Sequence, residues 1–256
     1  MLLTLGDHTM LIDAGRDDHF SDISAMLAEA GVTEAEYVLN THPHVDHAGS
    51  VKPLLEAGFG MGTFITLFPH DYADNTPGAQ RVIQKSTIAA LEAAGVPILD
   101  LKTQDTIPFG DALLTIYQVP DDRLTAKWDC NNRSAMLMIQ YGACRALLTA
   151  DVETLAQGVL AELYDLRADI LKFPHHGVRP AVQAFLDAVR PEYVFFTHGT
   201  KNTLDAQKQL VKKGYERMTF ASWGLITAQT DGEKWIVWQD VKPDLAEYAR
   251  KYKIGQ

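Results

Sequence analysis

Between Thr41 and Ser50 the chain reads THPHVDHAGS, so His42, His44, Asp46 and His47 fall within six consecutive positions. Imidazole and carboxylate together suit zinc, and also manganese or iron, whereas calcium would take oxygen alone. Where the loop is extended, two histidines separated by one residue point to the same side. Asp46 and His47 then begin a turn into a helix and reach a second point nearby. The stretch therefore supplies two pairs of ligands to two adjacent ions. The competing role is a solvated polar loop. A His-x-His-x-Asp-His run between a strand and a helix opened by Gly-Ser favours the metal.

The elements around that run must hold it at the mouth of a sheet, where loops before helices gather ligands. EYVLNT reads as a short buried strand that ends where the histidines begin. Upstream, two apolar runs flank Gly6-Asp7 as a hairpin, and Phe20 to Ala30 form a helix with Ile23, Met26 and Leu27 on one face. Downstream come a helix in GSVKPLLEAGFG, a strand in GTFITLF, a helix over Ala79 to Ala94, and strands near Ile98 to Lys102 and Ala112 to Val119. The second half has the same style. SAMLMIQYGACRALLTAD is two strands joined at Tyr141-Gly142, followed by a helix from Thr154 to Leu166. ADILKFPHHG is a strand ending in His175-His176, and AVQAFLDAVR, PEYVFFTHG and LDAQKQLVKKG read helix, strand, helix. The last strands lie around the Asp231-Gly232 turn. No repeat or linker appears, so residues 1–256 are read as one domain. Each half combines strands with helices, which points to an αββα sandwich of two mixed sheets; layer counting alone leaves a doubly wound sheet open.

Composition narrows the function. Hydrophobic residues make up 46% of the 256, enough for a sizeable core. The net charge of −10 argues against an extended nucleic-acid surface, which depends on many Lys and Arg contacts to phosphate. A small anionic substrate held by metal ions stays compatible. No apolar run reaches the roughly 18 residues of a membrane span, and MLLTLGDHTMLIDAG lacks the features of a signal peptide. The expected location is cytoplasmic, with two free thiols, Cys130 and Cys144. The abrupt start at MLLTL also fits a shortened N-terminus. Oligomeric state is left open.

His42, His44, Asp46 and His47 match the HxHxDH signature of the metallo-β-lactamase superfamily, and MLIDAG resembles the strand and turn that precede it there. NNRSAMLMIQYGACRALLTADVE and ADILKFPHHGVRPAVQAFLDAVRPEYVFF resemble the hydrolase domains of ComEC-type DNA-uptake proteins, and phosphorylcholine esterases are similar in organisation. The resemblance implies that Asp151 bridges two divalent ions and that Asp13 holds a ligand histidine in its tautomer. For Asp151 the competing role is a helix N-cap, and for Asp13 a strand-end turn. The resemblance also implies that one of His175 and His176 completes the Asp46-His47-Asp151 site; His176 is taken as the ligand and His175 as the residue facing substrate, with the reverse open. His198, at the end of YVFFT, is a further candidate for catalysis or ligation. Gly177 would allow close approach of substrate or backbone.

The departures from the family pattern matter too. Many members carry a mid-chain histidine that completes the His42-His44 metal, and none stands between His70 and His175. PDDRLTAKWDCNNRS offers Asp121, Asp122, Asp129 and Cys130 instead. THGTKNTLDAQ replaces the Gly-His-Pro-His segment of the ComEC-like branch. Asn131, Asn132 and Ser134 are candidates for substrate contact or for turn formation, Trp128 for an aromatic face, and His70 for the pocket lining.

The expected activity is that of a dinuclear metal-dependent hydrolase with zinc as the first choice of metal. A metal-bridging hydroxide would attack a small or short phosphodiester, with Asp46 orienting it and His175 or His198 serving the leaving group or oxyanion. The alternatives are a lactone, thioester or β-lactam hydrolase on the same fold, and a binding domain that has lost turnover.

Overall fold

The computed structural model describes residues 1–68, 78–124 and 129–242. His70 and Trp128 lie outside the described residues.

Strands β1 (Leu2–Leu5) and β2 (His8–Ile12) form the opening antiparallel hairpin. β3 (Glu34–Asn40), β4 (Gly60–Thr66) and β5 (Ile98–Asp100) then add in parallel, giving a five-stranded sheet in sequence order. The second sheet has seven strands. β6 (Thr106–Phe109), β7 (Ala112–Tyr117), β8 (Met136–Tyr141) and β9 (Cys144–Leu148) pair antiparallel. From β9 the sheet continues in parallel through β10 (Ile170–Lys172), β11 (Tyr193–Phe196) and β12 (Arg217–Phe220).

Three apolar layers hold these sheets. Between them lie Met10, Ile12, Leu39 and Ile65 from the first sheet against Ile116, Leu137, Ile139 and Ile170 from the second. The outer face of the first sheet is covered by α1 (Phe20–Glu29), α3 (Val51–Glu56) and α4 (Ala79–Ala94), whose Leu27, Leu54 and Leu91 meet Leu11, Val38 and Phe64. The outer face of the second is covered by α5 (Thr154–Leu163), α6 (Gln183–Val189) and α7 (Leu204–Lys212), where Leu160, Phe185 and Leu210 meet Leu171 and Phe196. The layers are thus helix, sheet, sheet, helix: an αββα sandwich. Alternating strand residues serve the two layers in turn. Met10 and Ile12 face the other sheet, while Leu11 between them faces the helices.

The last two strands flank the Asp231-Gly232 turn as expected, but they form a sheet of their own. β13 (Gly224–Thr230) and β14 (Trp235–Val241) pair only with each other and lean on the central layer through Ala228, Trp235 and Val237. Their turn meets the β8–β9 turn, where Ala143 N–H donates to Gly232 O at 2.7 Å. Gly142 has φ +57°, and a Cβ there would collide with the Gly232 carbonyl, so this approach requires glycine. β6 was not foreseen, because Pro108 interrupts a weak pattern; it sits at the sheet edge, where a missing N–H is tolerated. α5 ends at Leu163 rather than Leu166, since Tyr164 turns extended and Leu166 enters the core as loop.

The parallel strands set the site. β2, β3 and β4 each become buried toward their C-terminal ends. Beyond the C-terminal ends of β2, β3, β9, β10 and β11 stand Asp13, His42, Asp151, His175-His176 and Thr197. Ala135 N–H donates to Thr41 O at 3.0 Å and joins the two sheets at this edge. Among the described residues no helix is long and apolar enough to cross a membrane.

Candidate metal centre

His42 and His44 occupy the extended loop after β3, and Asp46 and His47 lie on a single helical turn, α2 (Val45–Ala48). Their neighbours come from the other sheet. Asp46, His47, Asp151 and His176 each offer one ligand atom, and the four atoms lie within 4.8 Å of one another. Asp151 Oδ2 is 3.3 Å from His47 Nε2 and 3.3 Å from His176 Nε2; Asp46 Oδ2 is 3.4 Å from His176 Nε2. His47 Nε2 and His176 Nε2 are 3.3 Å apart. A tetrahedral ion with bonds of about 2.0–2.2 Å sets its ligands roughly 3.3–3.6 Å apart. His47, His176 and Asp151 keep that spacing, and Asp46 Oδ2, at 4.0 Å from His47 Nε2, stands slightly wider; the donor set suits one divalent ion.

A second point lies beside it. His42 Nε2 is 3.1 Å from His44 Nδ1 and 3.9 Å from Asp151 Oδ2. Among the described residues, Asp151 Oδ2 is thus the carboxylate oxygen that faces both points.

The far sides of the rings show why these nitrogens point inward. His47 Nδ1 is 2.6 Å from Asp13 Oδ2, and Asp13 also accepts from Thr41 N–H and the Thr41 hydroxyl, each at 2.8 Å. His176 Nδ1 is 2.6 Å from Thr197 Oγ1, and His42 Nδ1 is 3.1 Å from Thr41 Oγ1. An Nδ1–H donated to each oxygen leaves each Nε2 with its lone pair free, as a ligand requires. His44 is reversed: Nδ1 faces His42, and Nε2 lies 3.1 Å from the Gln80 side-chain amide. An amide turned so that its oxygen accepts Nε2–H frees Nδ1 in the same way.

The electrostatics are those of a crowded buried cluster. Burial raises the Asp151 pKa, but hydrogen bonds from His176 and His47 and the charge of Lys172 outweigh it and hold the carboxyl far below its usual range. Burial also raises that of Asp46, and His176 and His47 bring it down to about 2. Burial lowers His47, yet Asp13 and Asp151 raise it to about 10. His42, buried and beside His47, is pushed well below its ordinary value, and burial lowers His44. Backbone strain gathers here as well. Of the six described non-glycine residues with positive φ, four are Asp13, Ala150, His175 and His176. Such strain persists only where surrounding structure enforces it.

His175 stays outside the four-atom group, with Nε2 3.7 Å from Asp151 Oδ2 and Nδ1 3.1 Å from Glu153 Oε1. His198 is engaged elsewhere: Nδ1 accepts from Gly199 N–H at 2.7 Å, and Asn202 packs on the ring. No ion pair links it to Asp46 or Asp151 among the described residues. Asp151 is not the N-cap of α5; Glu153 holds that position, and Asn132 Oδ1 accepts the Ala156 N–H at 2.9 Å. Asn132 also binds Asp129, and the Ser134 hydroxyl donates to Cys130 O, so both work as turn residues. Asn131 donates to Glu153. Arg133 pairs with Asp121 at 2.7 Å. Gly177 makes room for a core ring rather than for substrate, since a Cβ would run into Phe196.

Sequence reasoning did not single out Gln80, Glu153, Lys172 or Thr197. Only Lys172 left a signal, a lone charge inside the apolar strand DILKF.

A family model for the metallo-beta-lactamase superfamily matches residues 1–198. None of the curated proteins matches the sequence. Among solved structures the chain is similar to the metallo-beta-lactamase fold protein YhfI from Bacillus subtilis, at 13% identity and TM-score 0.53 over 93% of this chain and 90% of that one. It is also similar to CmlA, a diiron β-hydroxylase from Streptomyces venezuelae, at 11% identity and TM-score 0.57, covering 85% of this chain and half (50%) of CmlA. A diphosphatase from the PhnP family matches at 15% identity and TM-score 0.49, over 86% of this chain and 79% of that one. At these identities the structural likenesses speak to the fold alone, and the ComEC-like and phosphorylcholine esterase resemblances rest on sequence motifs. The family model spans most of the chain, and with the sandwich and the His-x-His-x-Asp-His loop in place, the chain belongs to the metallo-β-lactamase superfamily.

Proposed function

We propose that this chain is a dinuclear metal-dependent hydrolase acting on small or short phosphodiesters, with zinc as its metal. The observation that carries the metal reading is the convergence of Asp46 Oδ2, His47 Nε2, Asp151 Oδ2 and His176 Nε2 beside His42 Nε2 and His44 Nδ1. When bound, two divalent ions would supply Lewis acidity and make hydroxide available near neutral pH. The protein's own part is then positional. Asp13, Thr41 and Thr197 fix the ring orientations of His47, His42 and His176. Asp46, less buried than Asp151, sits where it can orient the attacking oxygen. His175 has a partly exposed ring at the edge of the cluster, suited to protonating a leaving group.

The choice of a phosphodiester is supported by Asn131-Asn132-Arg133-Ser134 and His175-His176-Gly177, which resemble the ComEC-like branch. The charge of −10 favours short substrates over long nucleic acid.

The test is metal analysis of the purified chain followed by assays on bis(p-nitrophenyl) phosphate, a lactone, a thioester and a β-lactam. Two bound ions and phosphodiester cleavage are expected. Lactone or thioester opening without phosphodiester cleavage overturns the substrate class. Full loading without any turnover favours a binding domain. His175→Ala should keep the metal and lose roughly 100-fold in rate, whereas His176→Ala should lose metal; the opposite pattern reverses their roles, and metal retained in both takes His176 out of the ligand set.

A further inference from the structure

We propose that Lys172 is a positioning residue for Asp151, holding its Oδ1 so that Oδ2 alone faces the histidines. The inference rests on the metal reading above and concerns how the shared carboxylate is presented.

Lys172 is the last residue of β10 and only 2% exposed, among the most buried polar residues of the chain. An ammonium removed from water needs partners. Its Nζ donates to Ala150 O at 2.6 Å and lies 3.5 Å from Asp151 Oδ1. Asp151 is itself 1% exposed. Its Oδ1 has no hydrogen-bond partner among the described residues, so the ammonium is the group that compensates it. Oδ2 has the opposite surroundings, with His47, His176, His175 and His42 nitrogens at 3.3, 3.3, 3.7 and 3.9 Å. The two oxygens of one carboxylate thus have separate tasks.

The backbone reinforces the division. Lys172 pairs with Leu148 across the parallel β9–β10 ladder, which brings its side chain under the loop after β9. Its carbonyl accepts the Thr149 hydroxyl at 2.6 Å. The Ala150 carbonyl receives both Nζ and the His175 N–H, the latter at 3.1 Å, and Ala150 has φ +45°. Lysine therefore ties together the loop that bears Asp151 and the turn that bears His175 and His176. If Asp151 were to chelate one ion through both oxygens, Oδ1 would have to leave the ammonium. The lysine opposes that and keeps Asp151 available to both points through Oδ2.

The test compares wild type with Lys172→Met, which keeps a long unbranched side chain and removes the charge, and with Lys172→Arg, which keeps a cation. Each is loaded with cobalt(II). Lys172→Met should weaken metal binding by about tenfold or more. Its cobalt absorption should also lose intensity per bound ion, as freed Oδ1 adds a ligand and raises the coordination number. Lys172→Arg should fall between the two. A Lys172→Met protein that is less stable but has the wild-type cobalt spectrum and affinity would make the lysine merely structural and overturn the proposal. A crystal structure of the zinc-loaded wild type tests the same point without any variant. Oδ1 should remain beside Nζ with only Oδ2 on metal, and Asp151 bound through both oxygens to one ion overturns it. A wild type that takes up neither zinc nor cobalt sinks the metal reading itself, and this proposal with it.

Discussion

The two halves of the metal centre are built unequally. At one, Asp46, His47, Asp151 and His176 surround a point with four donors, and both of its histidines are held from behind, His47 by Asp13 and His176 by Thr197. At the other, His42 and His44 contribute two nitrogens, and the third donor is the Asp151 oxygen they share with the first point. The support behind them is lighter as well, a threonine hydroxyl for His42 and a partly exposed glutamine for His44. A point with four protein donors holds its ion; one with few leaves positions for water or substrate. On the proposed metal reading, the Asp46 side is expected to retain its ion and the His42 side to leave room for substrate.

Asp151→Ala should do the most damage, because Oδ2 belongs to both points. At least one ion should be lost and the phosphodiesterase rate should fall by at least about 100-fold, the scale of a major electrostatic contribution. Metal analysis with steady-state kinetics checks this, and retention of both ions would remove Asp151 from the shared position. Asp13→Asn comes next. It leaves the shape but weakens the acceptor behind His47, so affinity at the four-donor point should drop by about 10–100-fold while the His42 side, reached only through Thr41, weakens less. Equal weakening of both ions in a zinc titration would erase the distinction.

A pH effect follows from His47. Its pKa of about 10 in the metal-free chain lies above the ordinary histidine value of 6.5, so below about 10 it carries a proton that a metal must displace. Metal affinity should rise about tenfold per pH unit between those values, with one proton released. Calorimetry in buffers of different ionisation enthalpy measures the release, and none at neutral pH contradicts it. In the metal-free protein the same shift contributes stability below pH 6.5, lost as pH climbs through 10. Gln80→Leu should have the smallest effect, about tenfold or less on the second ion alone, by removing the partner of His44 Nε2. A larger effect on the first ion would show that the two points are not separable.

Some of this centre was written locally, and the sequence alone determined that part. His42, His44, Asp46 and His47 sit on one loop and one helical turn, where the path of a few residues fixes which side chains meet. The hairpins and the long helix were legible for the same reason, since strand and helix periodicities are short-range; the two-sheet arrangement was not, because layer counting left a doubly wound sheet open and the motif resemblance favoured the sandwich. Tertiary structure decided the rest. His47 and His176 are 129 positions apart and touch only because two sheets pack with their parallel strands ending at one edge. Spacing could not choose between His175 and His176, because both have left-handed backbone angles and the alternation of an extended strand no longer applies. Gln80 and Thr197 look like ordinary polar residues until packing sets them behind a ring. Lys172 was visible as an odd charge in an apolar strand, but only the partner across the sheet, Asp151, gives that charge something to hold, because a buried ammonium is defined by what lies within a few ångströms of it and not by its neighbours in the chain.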